Sequence, residues 1–354
     1  MGAPRRRHGR RRNGRPDRRA QRPLAGLCSR GGAGGAGGAV TPGGAVGGCR
    51  LVRELGRGGV GVVWEAVDEA AGMRVALKLL HAADARVRER FRAELRALST
   101  LQHPNVAIVH RAGEDQGRPF LVMRLVEGGS LRERILRGGP LEQREAAAIG
   151  VKLARAVAHA HAQGVLHRDL KPANVLLDRQ GEPILADFGL ARVVAGAAGP
   201  TRTGELLGTP AYMSPEQAEG ERGAIDERSD VYGLGTILYE MLSGRPPFSG
   251  ESLVNQVHAV LSERPTPPRA LRALPLDPAL EALCLRCLEK DPAARPPSAT
   301  ALGEALAEWL ERTTPRPRRS AGGRLSARRR RRGLCRRPCC CRRGWNIASS
   351  SGRD

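Results

Sequence analysis

The chain has 354 residues, 40% of them apolar but only 3% aromatic, so it can hold one large domain or two ordinary ones with a core of Leu, Val and Ala. Its formal charge of +23 sits at the ends: residues 1–50 hold twelve Arg against Asp17 (net +11) and residues 313–354 hold fourteen Arg against Asp354 (net +13), which leaves a nearly neutral body. That distribution argues against a basic nucleic-acid-binding fold, the lack of any apolar run of roughly 18 residues argues against a membrane span, and the Gly/Ala repeat after the first arginines argues against a secretory signal.

Taken in order, residues 1–48 are Arg-rich and then Gly/Ala-rich, cannot bury a core, and read as a disordered arm. Patterned sequence runs from 49 to 312. CRLVRELGRGG and VGVVWEAVD alternate like two strands about a Gly-rich turn, and MRVALKLL is a third strand. Val87, Phe91, Leu95, Leu98 and Leu101 recur at helical spacing, and VAIVHRAGEDQGRPFLVMRLV reads as a hairpin. Amphipathic helices follow at 142–163, 226–243, 278–289 and 298–311, and residues 313–354 form a second disordered, Arg/Cys-rich tail. A small β-rich half before a larger helical half predicts an α+β fold with a cleft between the halves. Cys284 and Cys287, three apart in LEALCLRCLEK, fit small core residues better than a metal or redox pair. The tail run CRRPCCCRR lacks a second cluster or a nearby His for a zinc site, so reduced thiols in a cytoplasmic protein are expected.

Four short stretches carry chemistry. LGRGGVGVV places Gly56, Gly58 and Gly61 before Val63; such glycines let backbone N–H groups approach phosphate, and the strand-like VGVVWEAV that follows excludes a dinucleotide fingerprint, which needs a helix there. VALK places Lys78 on the next strand. Only four of the 59 basic residues are lysine (78, 152, 171 and 290), and a compact ammonium fits between phosphates and a carboxylate where a guanidinium fork does not. Glu94 of FRAEL, on the same face as Phe91, Leu95 and Leu98, is the candidate carboxylate. HRDLKPAN gathers Asp169, Lys171 and Asn174 on a loop that Pro172 keeps out of helix: a base or orienting group, a cation and a metal ligand. LADFGLAR places Asp187 at a strand end, suited to Mg²⁺ bridging to phosphates.

In this order the motifs resemble those of the eukaryotic-type protein kinases, closest to bacterial Ser/Thr kinases, over roughly Cys49 to Arg312. The resemblance implies a bilobal fold, with an N-lobe of about 49–125 and a C-lobe of about 126–312. It implies that Gly56, Gly58 and Gly61 cover the ATP phosphates, that Lys78 binds the α- and β-phosphates with Glu94 as its helix partner, and that Asp169 accepts a hydrogen bond from the substrate hydroxyl. Lys171 is then expected on the γ-phosphate and Asn174 and Asp187 on Mg²⁺ or Mn²⁺. Leu55, Val63, Ala76, Met123 and Leu176 are expected to sandwich adenine, with hinge backbone from Arg124 to Val126; Arg124-Leu125 replaces the Glu-Tyr of many relatives. Glu216 of SPE is expected to pair with Arg295, Asp230 to cap the catalytic loop, and Leu98, His167 and Phe188 to stack.

Lys171 with GTPAYMSPE resembles the Ser/Thr class, which implies protein substrates with Ser or Thr acceptors. Thr201 and Thr203 of PTRTGELLGT are the expected autophosphorylation sites, with Arg168 as receiver of the phosphate and transient dimers as the route. Two rivals differ in class: a pseudokinase scaffold, which normally lacks the lysine or one of the two aspartates, and a polyanion binder acting through the basic arms.

Overall fold

The structure is a computed structural model that describes residues 40–58, 61–81, 89, 91, 95, 100–188, 210–220, 225–250 and 252–314. A six-stranded antiparallel sheet comes first, in the order β1-β2-β3-β4-β6-β5, from β1 (Ala45–Val46), β2 (Cys49–Arg57), β3 (Gly61–Asp68), β4 (Met73–Leu80), β5 (Val109–Asp115) and β6 (Arg118–Arg124). The β1–β2 turn is the two-residue loop Gly47-Gly48 with φ of 55° and 76°, the paired left-handed conformation that tight hairpins take. Sheet structure therefore begins inside the stretch read from composition as an arm: two apolar-compatible residues pair with β2, and Val46 is buried with Cys49, Leu51, Trp64 and Phe120. Glycine richness hid this strand, because its glycines serve a turn. Glu89, Phe91 and Leu95 are helical, and Phe91 is buried in the main core.

Among the described residues after β6, the regular structure is helical apart from the ribbon of β7 (Val175–Leu177) and β8 (Pro183–Leu185). Its helices are α1 (Leu131–Gly138), α2 (Gln143–His161), α3 (Pro215–Ala218), α4 (Glu227–Ser243), α5 (Leu253–Ser262), α6 (Pro278–Cys287) and α7 (Ala299–Thr313). All but α3 open on a side chain that accepts N-terminal backbone N–H groups, among them Ser130, Glu142, Asp226 and Asp277. Ser130 with Glu133 forms a reciprocal capping box. Helix α4 is buried on nearly every side from Ser229 to Ser243 and is the post around which the other helices pack.

Small residues set the close approaches. A Cβ on Gly303 of α7 would stand 3.3 Å from Ala154 of α2, and one on Gly235 of α4 would stand 2.5 Å from the Cys287 Cβ. Cys284 and Cys287 are fully buried, and burial pushes the Cys287 thiol up to about 12, as befits inert core residues. Gly235→Ala is expected to destabilise the protein by about 1–3 kcal/mol through overpacking; chemical denaturation with an unchanged midpoint would contradict this packing. Among the described residues no helix is long and apolar enough to cross a membrane.

Candidate active site

The sheet aligns its predicted phosphate-binding residues by register. Gly56 opposes Val63, and Val63 opposes Lys78, so the three form one row across β2, β3 and β4. A second row, two residues along, sets Glu65 opposite Ala76 and Ala76 opposite Met123. The three glycines differ in role. A Cβ on Gly61 would meet the Leu79 carbonyl at 2.3 Å, so this glycine lets β3 lie against β4, whereas Gly56 and Gly58 have open space where a side chain would stand. Gly58 N donates to Gly61 O at 2.9 Å and closes the turn between the strands. Leu55 is exposed, Val63 and Leu176 are half-buried, and Ala76 and Met123 are buried. An apolar cavity of about 30 Å³ adjoins Met123, lined also by Leu101, Val106, Leu121, Leu185 and Phe188.

Beyond Met123, the N–H of exposed Arg124 donates to Ile108 O at 3.0 Å, and Val126 is half-buried. Gly128 N donates to Leu177 O, and Leu177 N donates to Gly129 O, both at 2.8 Å. These bonds tie the exit of the hinge to the strand that carries Leu176.

Two charged groups form. Lys78 Nζ lies 2.8 Å from Asp187 Oδ1. Around Asp169, Lys171 Nζ donates to both carboxylate oxygens (2.9 and 2.8 Å), and Asn174 Nδ2 donates to Oδ2 at 2.9 Å and to the Asp169 carbonyl at 2.7 Å. The segment holding them is not wholly loop: Pro172–Asn174 makes one 3₁₀ turn with Pro172 at its start, where a missing N–H costs nothing. The groups are joined through Ala186, whose N–H donates to Asn174 O at 2.9 Å and whose carbonyl lies 3.0 Å from His167 Nε2. The His167 and Phe188 rings stand 4.5 Å apart. Asp187 and Arg168 both have φ of 64°, a left-handed backbone that non-glycine residues keep only when neighbours hold it.

Asp230 on α4 does much of that holding. Its carboxylate accepts the N–H of His167 at 2.7 Å and of Arg168 at 2.8 Å, with His161 Nε2 2.8 Å away. Burial opposes the charged form of Asp230, but the His161 contact and the neighbouring imidazoles outweigh it, so its carboxyl lies below the usual range. Burial pushes His167 down, against the opposing pull of Asp230 and Asp169. Glu216 and Arg295 form a two-pronged pair at 2.8 and 2.9 Å, with Ser229 Oγ donating to Glu216 at 2.6 Å.

Glu94, Leu98, Thr201 and Thr203 lie outside the described residues. Sequence reasoning missed His161, the Gly128–Leu177 tie and Gln217, which donates to Arg168 O at 2.9 Å. Only Gln217 left a trace, the S-x-x-Q spacing of a helix cap. Among the described residues no group of three or more His, Cys, Asp or Glu could hold a metal ion. A carboxylate and an amide near a lysine fit the sparse oxygen set that a hard divalent cation shares with phosphate.

The family model described as the protein kinase domain matches residues 49–306. The serine/threonine-protein kinase PknL of Mycobacterium tuberculosis is 39% identical over 284 residues, 77% of this chain and 70% of that protein. The PknA kinase of the same species is 41% identical over 279 residues, 76% of this chain and 63% of that protein. The kinase pkn2 of Myxococcus xanthus is 42% identical over 267 residues, 73% of this chain but only 32% of that protein. Among solved structures, Rad53 1-466 in complex with AMP-PNP aligns with a TM-score of 0.62 and 24% identity, covering 74% of this chain and 65% of that one; it bears on the fold alone.

Proposed function

This chain belongs to the protein kinase family, and we propose that it is a serine/threonine kinase that moves the γ-phosphoryl group of ATP onto protein hydroxyls. The observation that carries this reading is the pair of charged groups: Lys78 on Asp187 at 2.8 Å, and Asp169 held by Lys171 and Asn174, joined through Ala186. Family membership implies ATP and a divalent metal; Mg²⁺ is our choice, with Mn²⁺ as a substitute. Asn174 and Asp187 would hold the metal, which when bound screens phosphate charge.

The chain's own groups then divide the work. Gly56 and Gly58 offer unobstructed backbone to the phosphates, and Lys78 supplies a cation set by the sheet register. Asp169 accepts the hydrogen bond of the Ser or Thr hydroxyl and takes its proton as the new oxygen–phosphorus bond forms and the bond to the ADP oxygen breaks. Lys171, which rests on Asp169, would balance charge on the moving phosphoryl group. Positioning and charge stabilisation supply most of the acceleration. Met123, Ala76, Val63, Leu55 and Leu176 would line the adenine site, and Glu94 is our choice of carboxylate partner for Lys78. We also propose that Thr201 and Thr203 are modified by a second copy in a transient dimer and received by Arg168, that the protein works in the cytoplasm, and that arms of net +11 and +13 touch polyanions in a salt-dependent way.

Incubating the purified chain with labelled ATP, Mg²⁺ or Mn²⁺ and a generic protein substrate, followed by phosphosite mapping, tests this. Label on Ser and Thr of the substrate and on Thr201 and Thr203 is expected. An inert chain with either metal would refute the kinase reading, and an active chain unmodified at 201 and 203 would refute the autophosphorylation.

A further inference from the structure

Gln217 uses both ends of its amide. Its Oε1 accepts the Ser214 N–H at 3.0 Å and the Ser214 hydroxyl at 3.2 Å, which caps α3. Its Nε2 donates to the Arg168 carbonyl at 2.9 Å, across 49 residues. That carbonyl belongs to the peptide linking Arg168 to Asp169. The N–H on the other side of Arg168 is taken by Asp230 Oδ1 at 2.8 Å. A left-handed residue, with φ of 64°, is therefore gripped on both flanking peptides, by α4 from one side and α3 from the other. Capping alone does not require an amide, since glutamate accepts the Ser214 N–H equally well. Only an amide, or a protonated acid, also donates to a carbonyl.

We propose that Gln217 is a positioning residue for phosphotransfer: its bridge from α3 to the Arg168 carbonyl fixes the peptide from which the Asp169 side chain projects. The proposal rests on the kinase reading above. It also makes the catalytic loop sensitive to the placement of α3, which directly follows the turn Pro210–Tyr212.

Gln217→Glu keeps the cap and replaces the donor with a carboxylate facing a carbonyl. We expect kcat to fall about tenfold or more, as a small misplacement of a catalytic group does, with KM for ATP within about threefold of wild type. The ratio of variant to wild-type kcat is expected to rise as pH falls from 7 toward about 5, because the introduced acid, with a reference pKa of about 4.3, begins to protonate there and restores a donor. A mere cap predicts no such rise. Gln217→Ala loses both contacts and is expected to lose kcat at every pH. A Gln217→Glu kcat within twofold of wild type, or a pH-independent ratio, overturns the proposal. If Gln217→Glu fails to fold, Gln217→Lys makes the converse test, donating to the carbonyl while forfeiting the cap: retained kcat supports the bridge and a tenfold loss refutes it. Wild-type protein run in parallel separates the readings, because an inactive wild type sinks the kinase assignment, whereas an active wild type with an unaffected Gln217→Glu sinks this inference alone.

Discussion

Asp169→Asn is expected to give a folded, nucleotide-binding protein whose phosphotransfer rate is lower by about 10³-fold, within the range that removal of a positioned acid–base group costs. The wild-type carboxylate accepts on both oxygens from Lys171 and on Oδ2 from Asn174. An amide turns one acceptor into a donor that faces one of these donors, and it removes the group that takes the hydroxyl proton. The fold should tolerate the change, because the loop is anchored through Asp230, not Asp169. Rates with a generic protein substrate, far-ultraviolet circular dichroism and nucleotide-induced thermal shift measure the three parts separately. Wild-type turnover in the variant would end the assignment of Asp169.

The largest stability effect is expected at Arg295. Its guanidinium is fully buried and donates to Glu216 through two nitrogens, and to the carbonyls of Arg228, Glu289 and Lys290. Arg295→Met would fill most of the volume but strand a buried carboxylate, a loss of about 3–5 kcal/mol and a melting temperature lower by about 10 °C. Calorimetry decides, and a shift of only a degree or two would mean that the pair does not hold the segment. The pair also sets an acid limit. Burial works against the charge on Glu216, yet the hydrogen bonds from Arg295 and Ser229 outweigh it and hold its pKa below the usual range. A carboxyl depressed by folding contributes stability above its unfolded value, about 4.3, and loses it as pH falls toward the folded value. Wild type should therefore soften below about pH 4.3 more steeply than Arg295→Met, in which the depression is gone.

How much of this was readable beforehand divides along a physical line. Features fixed by local pattern were legible: β3 and β4 from alternation and β-branching, α2 and α4 from helical spacing, and the order of Gly56, Lys78, Asp169 and Asp187 from their neighbours. The Glu216–Arg295 pair and the Asp230 cap came through the resemblance, and both are present in the fold. What escaped depends on partners distant in the chain. Helix α5 is only ten residues long and exposes Leu253 and Val254 at its start. Strand β1 is two residues long, and only pairing with β2 makes it a strand. The tie from Gly128 to Leu177 and the bridge from Gln217 to Arg168 span tens of residues and involve backbone carbonyls, which every sequence position possesses and none advertises.

The scarcity of lysine has a practical side. Lys78 and Lys171 rest on the two aspartates, Lys152 is paired with Glu182, and Lys290 sits 4.0 Å over the Phe248 ring, its ammonium turned to the carbonyls at the end of α5 and its pKa lowered by burial to about 8. Any reagent selective for primary amines, such as an activated ester or an aldehyde fixative, thus meets four side-chain targets in a protein crowded with guanidinium. Such chemistry would fall first on Lys152, the most exposed of the three ion-paired lysines, and would spare Lys78, which is buried against Asp187.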